Sequence, residues 1–247
     1  MSDELHPQVM PSYSLESGDV YDLIYSQKDY RSEVAKLTRI INESCESGGH
    51  MILEAACGTG NYMQELRGRF IVDGFDLSEN QVVAAKKKLP DAHIIQADMV
   101  DVDMGKTYDV VLCLFSSIGY LKTKENLNKA VANLARHTKS GGLVIIEPWL
   151  DASTLRVGLS VLAAEQNDTL RVARMGIISQ DGIVTTSYMH DMVGSRNGIQ
   201  HFIEKHELAM YSYDDFTTAF NQAGLDIEID REGLIGRGLC IGKKTQS

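Results

Sequence analysis

Cysteine is scarce: Cys45, Cys57, Cys113 and Cys240 are scattered over 247 residues, and no two stand at CxxC spacing. That scatter supports neither a zinc site nor a disulfide framework, and the default compartment is a reducing cytoplasm. Basic residues are in deficit, with 24 Lys and Arg against 34 Asp and Glu and a net charge of −10. A protein that tracks nucleic-acid phosphates needs the opposite balance. No apolar run approaches the roughly 20 residues needed to cross a bilayer, which speaks against a membrane partner. The start of the chain, residues 1–19, has neither a basic stretch nor an apolar core and so does not read as a signal peptide. It reads as a flexible arm. Internal repeats, low-complexity segments and tight His/Asp/Glu clusters with metal-ligand spacing are also missing, so no metal is implied.

What is present is an ordinary globular composition, enough for one substantial domain over residues 20–247 with a small insertion. Spaced apolar positions predict a helix over 18–43. Strands follow at 51–55, 72–75 and 92–96, and at 108–115, an almost wholly apolar run of the kind found in a sheet covered on both faces. Helices are expected after Asn61, from an N-cap at Ser78 to Leu89 before Pro90, and over 125–137. Gly141 and Gly142 turn the chain into a fifth strand that ends at Pro148-Trp149. The pattern then changes. Residues 165–211 alternate and carry two hairpin signals, Gln180-Asp181-Gly182 and Ser195-Arg196-Asn197-Gly198, which predict an inserted antiparallel β cap. A last helix over 213–223 and two closing strands complete an α/β fold with a seven-stranded, mostly parallel sheet.

The most informative segment is Glu54-Ala55-Ala56-Cys57-Gly58-Thr59-Gly60, where a buried strand ends in a small-residue turn. Asp76 ends the second strand, as a carboxylate does where it holds ribose hydroxyls in nucleoside-binding βαβ units. The turn lacks the third glycine of the dinucleotide fingerprint and the Lys-Ser/Thr of a triphosphate loop. A nucleoside without a pyrophosphate fits, and S-adenosylmethionine (SAM) is such a molecule. Candidate cofactor residues are Ala56, Gly58, Gly60, Asp76 and Leu77, with Asp98 for the adenine amino group, Met99 for the purine face and Leu114 beside the sulfonium.

This order of features resembles the class I SAM-dependent methyltransferases, whose sheet is Rossmann-like. Further segments are similar to the N,N-dimethyltransferases of dTDP-deoxyaminosugar biosynthesis, enzymes of the desosamine and mycaminose type that serve antibiotic assembly. They are Tyr21-Asp22-Leu23-Ile24-Tyr25, Lys28-Asp29-Tyr30, Phe115-Ser116-Ser117-Ile118-Gly119-Tyr120, Glu147-Pro148-Trp149 and Gly236-Arg237-Gly238-Leu239. The resemblance covers nearly everything from about Gly18 onward. It implies two successive methyl transfers to the amine of a nucleotide-linked sugar, and a homodimer. It implies that Tyr25 and Tyr30 line the cofactor and sugar pocket, that Lys28 helps close the first helix over SAM, and that Ser116, Ser117 and Trp149 wall the substrate cleft. Arg237 would reach the diphosphate. The hydroxyl of Tyr25 or of Tyr120 is a candidate to position the amine, and neither needs to be a true base. Plainer readings stand beside these: a surface arginine on a hairpin for Arg237, helix packing for Tyr25 and Tyr30, core for Trp149. His201 and His206 lie on one strand at a spacing that points them to opposite faces, so at most one faces the cleft.

Two rivals remain open. A class I methyltransferase with a different small-molecule N or O acceptor would share the cofactor site and differ in the cap. A nucleoside-binding module without chemistry would keep the fold alone. A dehydrogenase is disfavoured by the missing third glycine.

Overall fold

The computed structural model describes residues 9–11, 18–150, 155–158 and 160–245. Two helices, α1 (Gly18–Ile24) and α2 (Tyr30–Ser44), precede a sheet built from β2 (Met51–Ala55), β3 (Ile71–Asp76), β4 (Ile94–Gln96), β5 (Tyr108–Cys113) and β6 (Thr138–Ile146). Helices α3 (Asn61–Leu66), α4 (Glu79–Lys88) and α5 (Lys124–Arg136) connect these strands, and after α6 (Tyr213–Gln222) come β11 (Leu225–Asp230) and β12 (Leu239–Lys244). The sheet has seven strands in the order β11-β12-β6-β5-β2-β3-β4. Five are parallel, and β12 and β11 close the edge as an antiparallel hairpin. The α/β fold expected from the sequence is the fold observed.

The apolar run of β5 is explained by coverage on both faces. Val111 and Cys113 pack with α5 and α6, while Val110, Leu112 and Leu114 pack with α2, α3 and α4. Burying each large aliphatic side chain contributes about 1.5–3 kcal/mol, and the one carboxylate on the strand, Asp109 near its start, is buried with its own hydrogen-bond partners.

The second sheet is β1-β10-β9-β8-β7, from β1 (Val9–Pro11), β7 (Ser160–Gln166), β8 (Arg171–Asp181), β9 (Val184–Ser195) and β10 (Gly198–Ala209). Both expected hairpins are present, with Asp181 opposite Val184 and Ser195 opposite Gly198. Within the segment read as a flexible arm, Val9–Pro11 runs parallel to Ile203–Lys205 as an added edge strand. The rest of that arm lies outside the described residues.

The single helix expected over 18–43 is interrupted between Ile24 and Tyr30. Asp29 ends the interruption as the N-cap of α2, its side chain accepting from the Ser32 N–H. Val20, Leu23 and Ile24 of α1 pack beneath Val172 and Val193 of the cap. On its other side Asp22 accepts hydrogen bonds from Thr59 (2.6 Å) and Asn61 (3.0 Å) and pairs with Lys88 (2.8 Å). So α1 joins the cap to the glycine turn. No described helix is long and apolar enough to cross a membrane.

Candidate active site

A cleft of about 660 Å³ opens at the carboxyl ends of β2, β3, β4 and β5. That is where open α/β sheets hold ligands, and the volume suits a nucleoside-sized molecule. Its wall contains Ala56, Gly58, Asp76, Leu77, Asp98, Met99, Leu114, Tyr30, Ser117 and Tyr120, ten of the residues singled out from the sequence.

The turn after β2 needs its small residues for different reasons. Ala56, Gly58 and Gly60 all have positive φ, at 53°, 55° and 80°. A Cβ on Gly58 would meet nothing nearer than the Gln81 Oε1 at 3.9 Å, so this glycine leaves room toward the cleft. A Cβ on Gly60 would lie 3.0 Å from Leu89 and 3.5 Å from Ala85. Gly60 therefore packs α3 against α4 and is not part of the cleft wall.

Asp76 is anchored on both oxygens, accepting from the Gly58 N–H and from the Ser78 N–H at 2.8 Å each. Burial pushes its carboxyl above the ordinary range, and those N–H bonds pull back part of the way. Glu54 beneath it is held well above the usual carboxylate value by burial and by the Asp76 charge. Asp98 is fixed by the Val100 N–H at 3.0 Å. Gln81 is 2% exposed, lines the cleft, and neither of its side-chain amide atoms has a hydrogen-bond partner among the described residues. Buried amides are rarely left so, which marks a place for a polar ligand. The residues present fit SAM: an anchored carboxylate for the ribose, Asp98 and Met99 for the base, and Gln81 for a further polar group.

The segment after β5 is built on strain. Phe115 and Ser116, directly after Leu114, have φ of 52° and 64°, conformations that cost non-glycine residues of order 1–3 kcal/mol each. They are held by buried hydrogen bonds: Glu147 Oε2 accepts from the Phe115 N–H at 2.6 Å, and the Ser116 hydroxyl donates to the Pro148 carbonyl at 2.7 Å. Burial raises the Glu147 carboxyl, offset by the Arg237 charge, the Phe115 N–H and the Lys28 charge. Lys28, paired with Glu33, stands 4.8 Å from the Phe115 ring centre, 5.2 Å from Tyr30 and 5.3 Å from Tyr62. This corner is suited to positive charge. Burial pushes the Tyr30 hydroxyl up to about 12, so it remains a neutral donor.

Six of the candidates lie outside the cleft wall: Tyr25, Lys28, Gly60, Ser116, Trp149 and Arg237. Tyr25 ends up behind the wall because the chain leaves α1 there; its ring meets Phe115 edge-on at 5.1 Å, and it is Tyr21 that faces the cleft. Ser116 is fully buried. Arg237 and Trp149 form one cluster with it: the guanidinium donates to the Ser116 hydroxyl at 3.0 Å and lies 5.1 Å from the Trp149 ring and 5.3 Å from Phe115. Trp149 donates to the Thr185 hydroxyl of the cap at 3.0 Å. Sequence reasoning missed Tyr21, Asn61, Tyr62 and Gln81 in the wall. Tyr21 and Tyr25 lie in one five-residue stretch, Tyr21-Asp22-Leu23-Ile24-Tyr25, and nothing in sequence chooses between them.

A methyltransferase domain model matches residues 52–142. The dTDP-3-amino-3,4,6-trideoxy-alpha-D-glucopyranose N,N-dimethyltransferase of Streptomyces venezuelae is 35% identical over 234 residues, 93% of this chain and 98% of that protein. The crystal structure of Streptomyces venezuelae DesVI superposes with a TM-score of 0.88 at 34% identity, covering 94% of this chain and 100% of that one. SAM-bound CalS10, an amino pentose methyltransferase from Micromonospora echinaspora, superposes with a TM-score of 0.82 at 28% identity, covering 92% and 97%.

Proposed function

The chain belongs to the family of SAM-dependent N,N-dimethyltransferases of dTDP-aminosugars, and from that premise we propose that it methylates the amine of a dTDP-linked deoxyaminosugar twice, giving the N,N-dimethylamino sugar. The observation that carries this reading is that the likeness extends beyond the cofactor half and through the cap, at 35% identity over 93% of the chain. The cofactor half alone is common to methyltransferases with many acceptors.

In this reading Ala56, Gly58, Asp76, Leu77, Asp98, Met99 and Leu114 hold SAM directly. Gly60 shapes the turn, and Tyr25 supports Phe115 from behind. SAM supplies an electrophilic methyl on a sulfonium. Its displacement by a neutral amine builds no anion, so the chain needs no oxyanion hole, and most of the acceleration comes from holding two partners in line. Tyr30 and Ser117 face the sugar, and Tyr120 orients the amine. Trp149 and Arg237 adjoin the cleft toward the cap, with the buried Ser116 hydroxyl holding the guanidinium, whose fork suits a diphosphate.

The dimer belongs to the same proposal. On the outer face of the cap sheet Leu162 pairs with Met175, and Ile177 with Tyr188, all exposed, with Met192 and Ile199 beyond. An apolar face of that kind suits self-association about a two-fold axis. Sedimentation of the protein as a monomer at micromolar concentration would end this part. The site of action is the cytoplasm, where all four thiols stay free, as they are here.

Incubation with SAM and a panel of dTDP-3-amino and dTDP-4-amino sugars tests the reaction. Products heavier by one and then two CH2 units are expected. SAM binding without turnover of any panel member would favour the rival reading, a methyltransferase with another small-molecule acceptor.

A further inference from the structure

The inner face of the cap carries ionisable groups that packing alone does not require. His206 and Glu204 sit side by side on β10, the first 6% exposed and the second fully buried. Glu204 Oε2 lies 3.6 Å from His206 Nε2, and His206 Nδ1 lies 2.7 Å from the Tyr120 hydroxyl. Tyr120 belongs to the short 3-10 helix Ser117–Leu121 and lines the cleft. The chain of contacts therefore runs from the cleft wall to a buried carboxylate.

The surrounding charges favour one direction of proton flow. Arg174 lies 4.0 Å from the same Glu204 oxygen, but its guanidinium is engaged with Asp191 through two bonds of 2.8 Å. The Arg174–Asp191 pair is close to neutral as a unit, and among the described residues Glu204 is the carboxylate beside the histidine, at 3.6 Å. A carboxylate at Nε2 favours the tautomer with its proton there, which leaves Nδ1 as the acceptor facing Tyr120. Among the described residues, the charged and titratable groups around His206 are Tyr120 from the 3-10 helix, Glu204 on its own strand, and Arg174 and Asp191 from β8 and β9.

We propose that Tyr120, His206 and Glu204 form a proton relay that frees the amine lone pair before each methyl transfer. This rests on the aminosugar reading above. A sugar amine arrives largely as an ammonium and cannot attack until it loses a proton. In the relay the N–H bond of the ammonium breaks, its electron pair stays on nitrogen, and the proton forms an O–H bond on Tyr120. The original Tyr120 proton passes to His206 Nδ1, and Glu204 holds the imidazolium. The proton then leaves to solvent, and the relay is reset for the second transfer. Tyr120 is the group that touches substrate; His206 and Glu204 act through it.

The test measures kcat/KM for the aminosugar across pH with Tyr120→Phe, His206→Asn and Glu204→Gln. A general-base contribution of about 10²-fold is expected to be lost in the first two near about pH 6.5, and the deficit should shrink below about 3-fold near about pH 9.5, where solution deprotonates the amine itself. Glu204→Gln should show a smaller loss with the same pH trend. SAM affinity, read by calorimetry, should stay within about 3-fold of wild type for Tyr120→Phe, which preserves the ring and so the fold. Deficits equal at every pH, or full activity in Tyr120→Phe throughout, would overturn the relay while leaving the methyl-transfer reading intact. An inactive wild type that binds SAM would instead defeat the aminosugar reading, and the relay with it.

Discussion

Asp76→Asn should separate cofactor binding from folding. The Asp76 carboxylate takes the Gly58 N–H on one oxygen and the Ser78 N–H on the other, at 2.8 Å each, and lines the cleft. Asparagine keeps one acceptor and turns the other position into an NH2 group that faces one of those donors. In the proposed complex the ribose hydroxyls lose the charge of their acceptor and at least one hydrogen bond. Hydrogen bonds to a charged group are worth about 1.5–3 kcal/mol each, so the loss is about 3 kcal/mol, or about 10²-fold in Kd. The fold should respond differently. Burial, offset in part by the N–H bonds, raises the Asp76 carboxyl above its ordinary value. A group raised in the folded state stabilises at low pH, and that contribution disappears as pH rises through the folded value. At neutral pH the native charge is therefore no large asset to stability, and the variant's main cost is the N–H left facing the new NH2 group, about 1–3 kcal/mol, or about 2–12 °C in Tm. SAM binding has the opposite sign, since it uses the ionised form: affinity should fall as pH drops through the raised value, and the variant should lack that dependence. Titration calorimetry at several pH values, with a melting curve, measures all three. A variant that folds and binds SAM within about 3-fold of wild type would refute the assignment of Asp76 to the ribose.

Arg237→Ala should raise KM for the nucleotide sugar about 30-fold, from loss of about 2 kcal/mol of charge-assisted bonding, and leave SAM affinity within about 2-fold. Equal effects on both ligands would count against the diphosphate role. Asp109 supplies a test of stability away from the cleft. It is 1% exposed and accepts from the Ser47 hydroxyl (2.7 Å), the Met51 N–H (2.8 Å) and Lys139 (3.0 Å). Burial alone would raise its carboxyl, but those bonds and the Lys139 charge hold it below its ordinary value. A depressed group stabilises above its unfolded value, and the contribution is lost as pH falls through the folded one. Asp109→Ala should lower stability by about 3 kcal/mol, or Tm by about 10 °C, and flatten the acid limb of the stability curve read by circular dichroism. An unchanged acid limb would sink the argument.

How much of this could be read from residues alone depended on range. The continuous apolar run of β5 predicts coverage on both faces, and α5 and α6 lie on one face and α2, α3 and α4 on the other. The hairpins were legible because Gly182 and Gly198, with φ of 58° and 113°, fill turn positions that local chemistry alone selects. The break between α1 and α2 was not, since apolar spacing continues across it and only the Asp29 cap decides the matter. That break sets which tyrosine faces the cleft, so Tyr21 was passed over for Tyr25. Opposite facing of His201 and His206 followed from strand parity. The partner of His206 did not, because Tyr120 lies 86 positions away and no local pattern encodes that contact. Val9–Pro11 carries too short a pattern to announce a strand.

The non-glycine residues in strained conformations show where the chain commits its geometry. Of the four described non-glycine residues with positive φ, Lys122 ends the 3-10 helix, and Ala56, Phe115 and Ser116 lie at the ends of β2 and β5, the two strands at the centre of the cleft. Strain of this size persists only where surroundings over-determine it, and here they do. The Cys57 N–H is fixed on the Phe75 carbonyl at 2.9 Å, and the Phe115 N–H on a buried Glu147 at 2.6 Å. Phe115 in turn contacts Tyr25, Lys28 and Arg237. A displacement reaction tolerates little misplacement of its partners, and effective molarity falls steeply when they drift. One strained residue thus links the end of the central sheet, the incoming helix pair and the arginine beside the cap. In the proposed function the acceptor is set on the cap side of Phe115, beside Trp149 and Arg237, and the methyl donor on the other side, at Asp76 and the glycine turn.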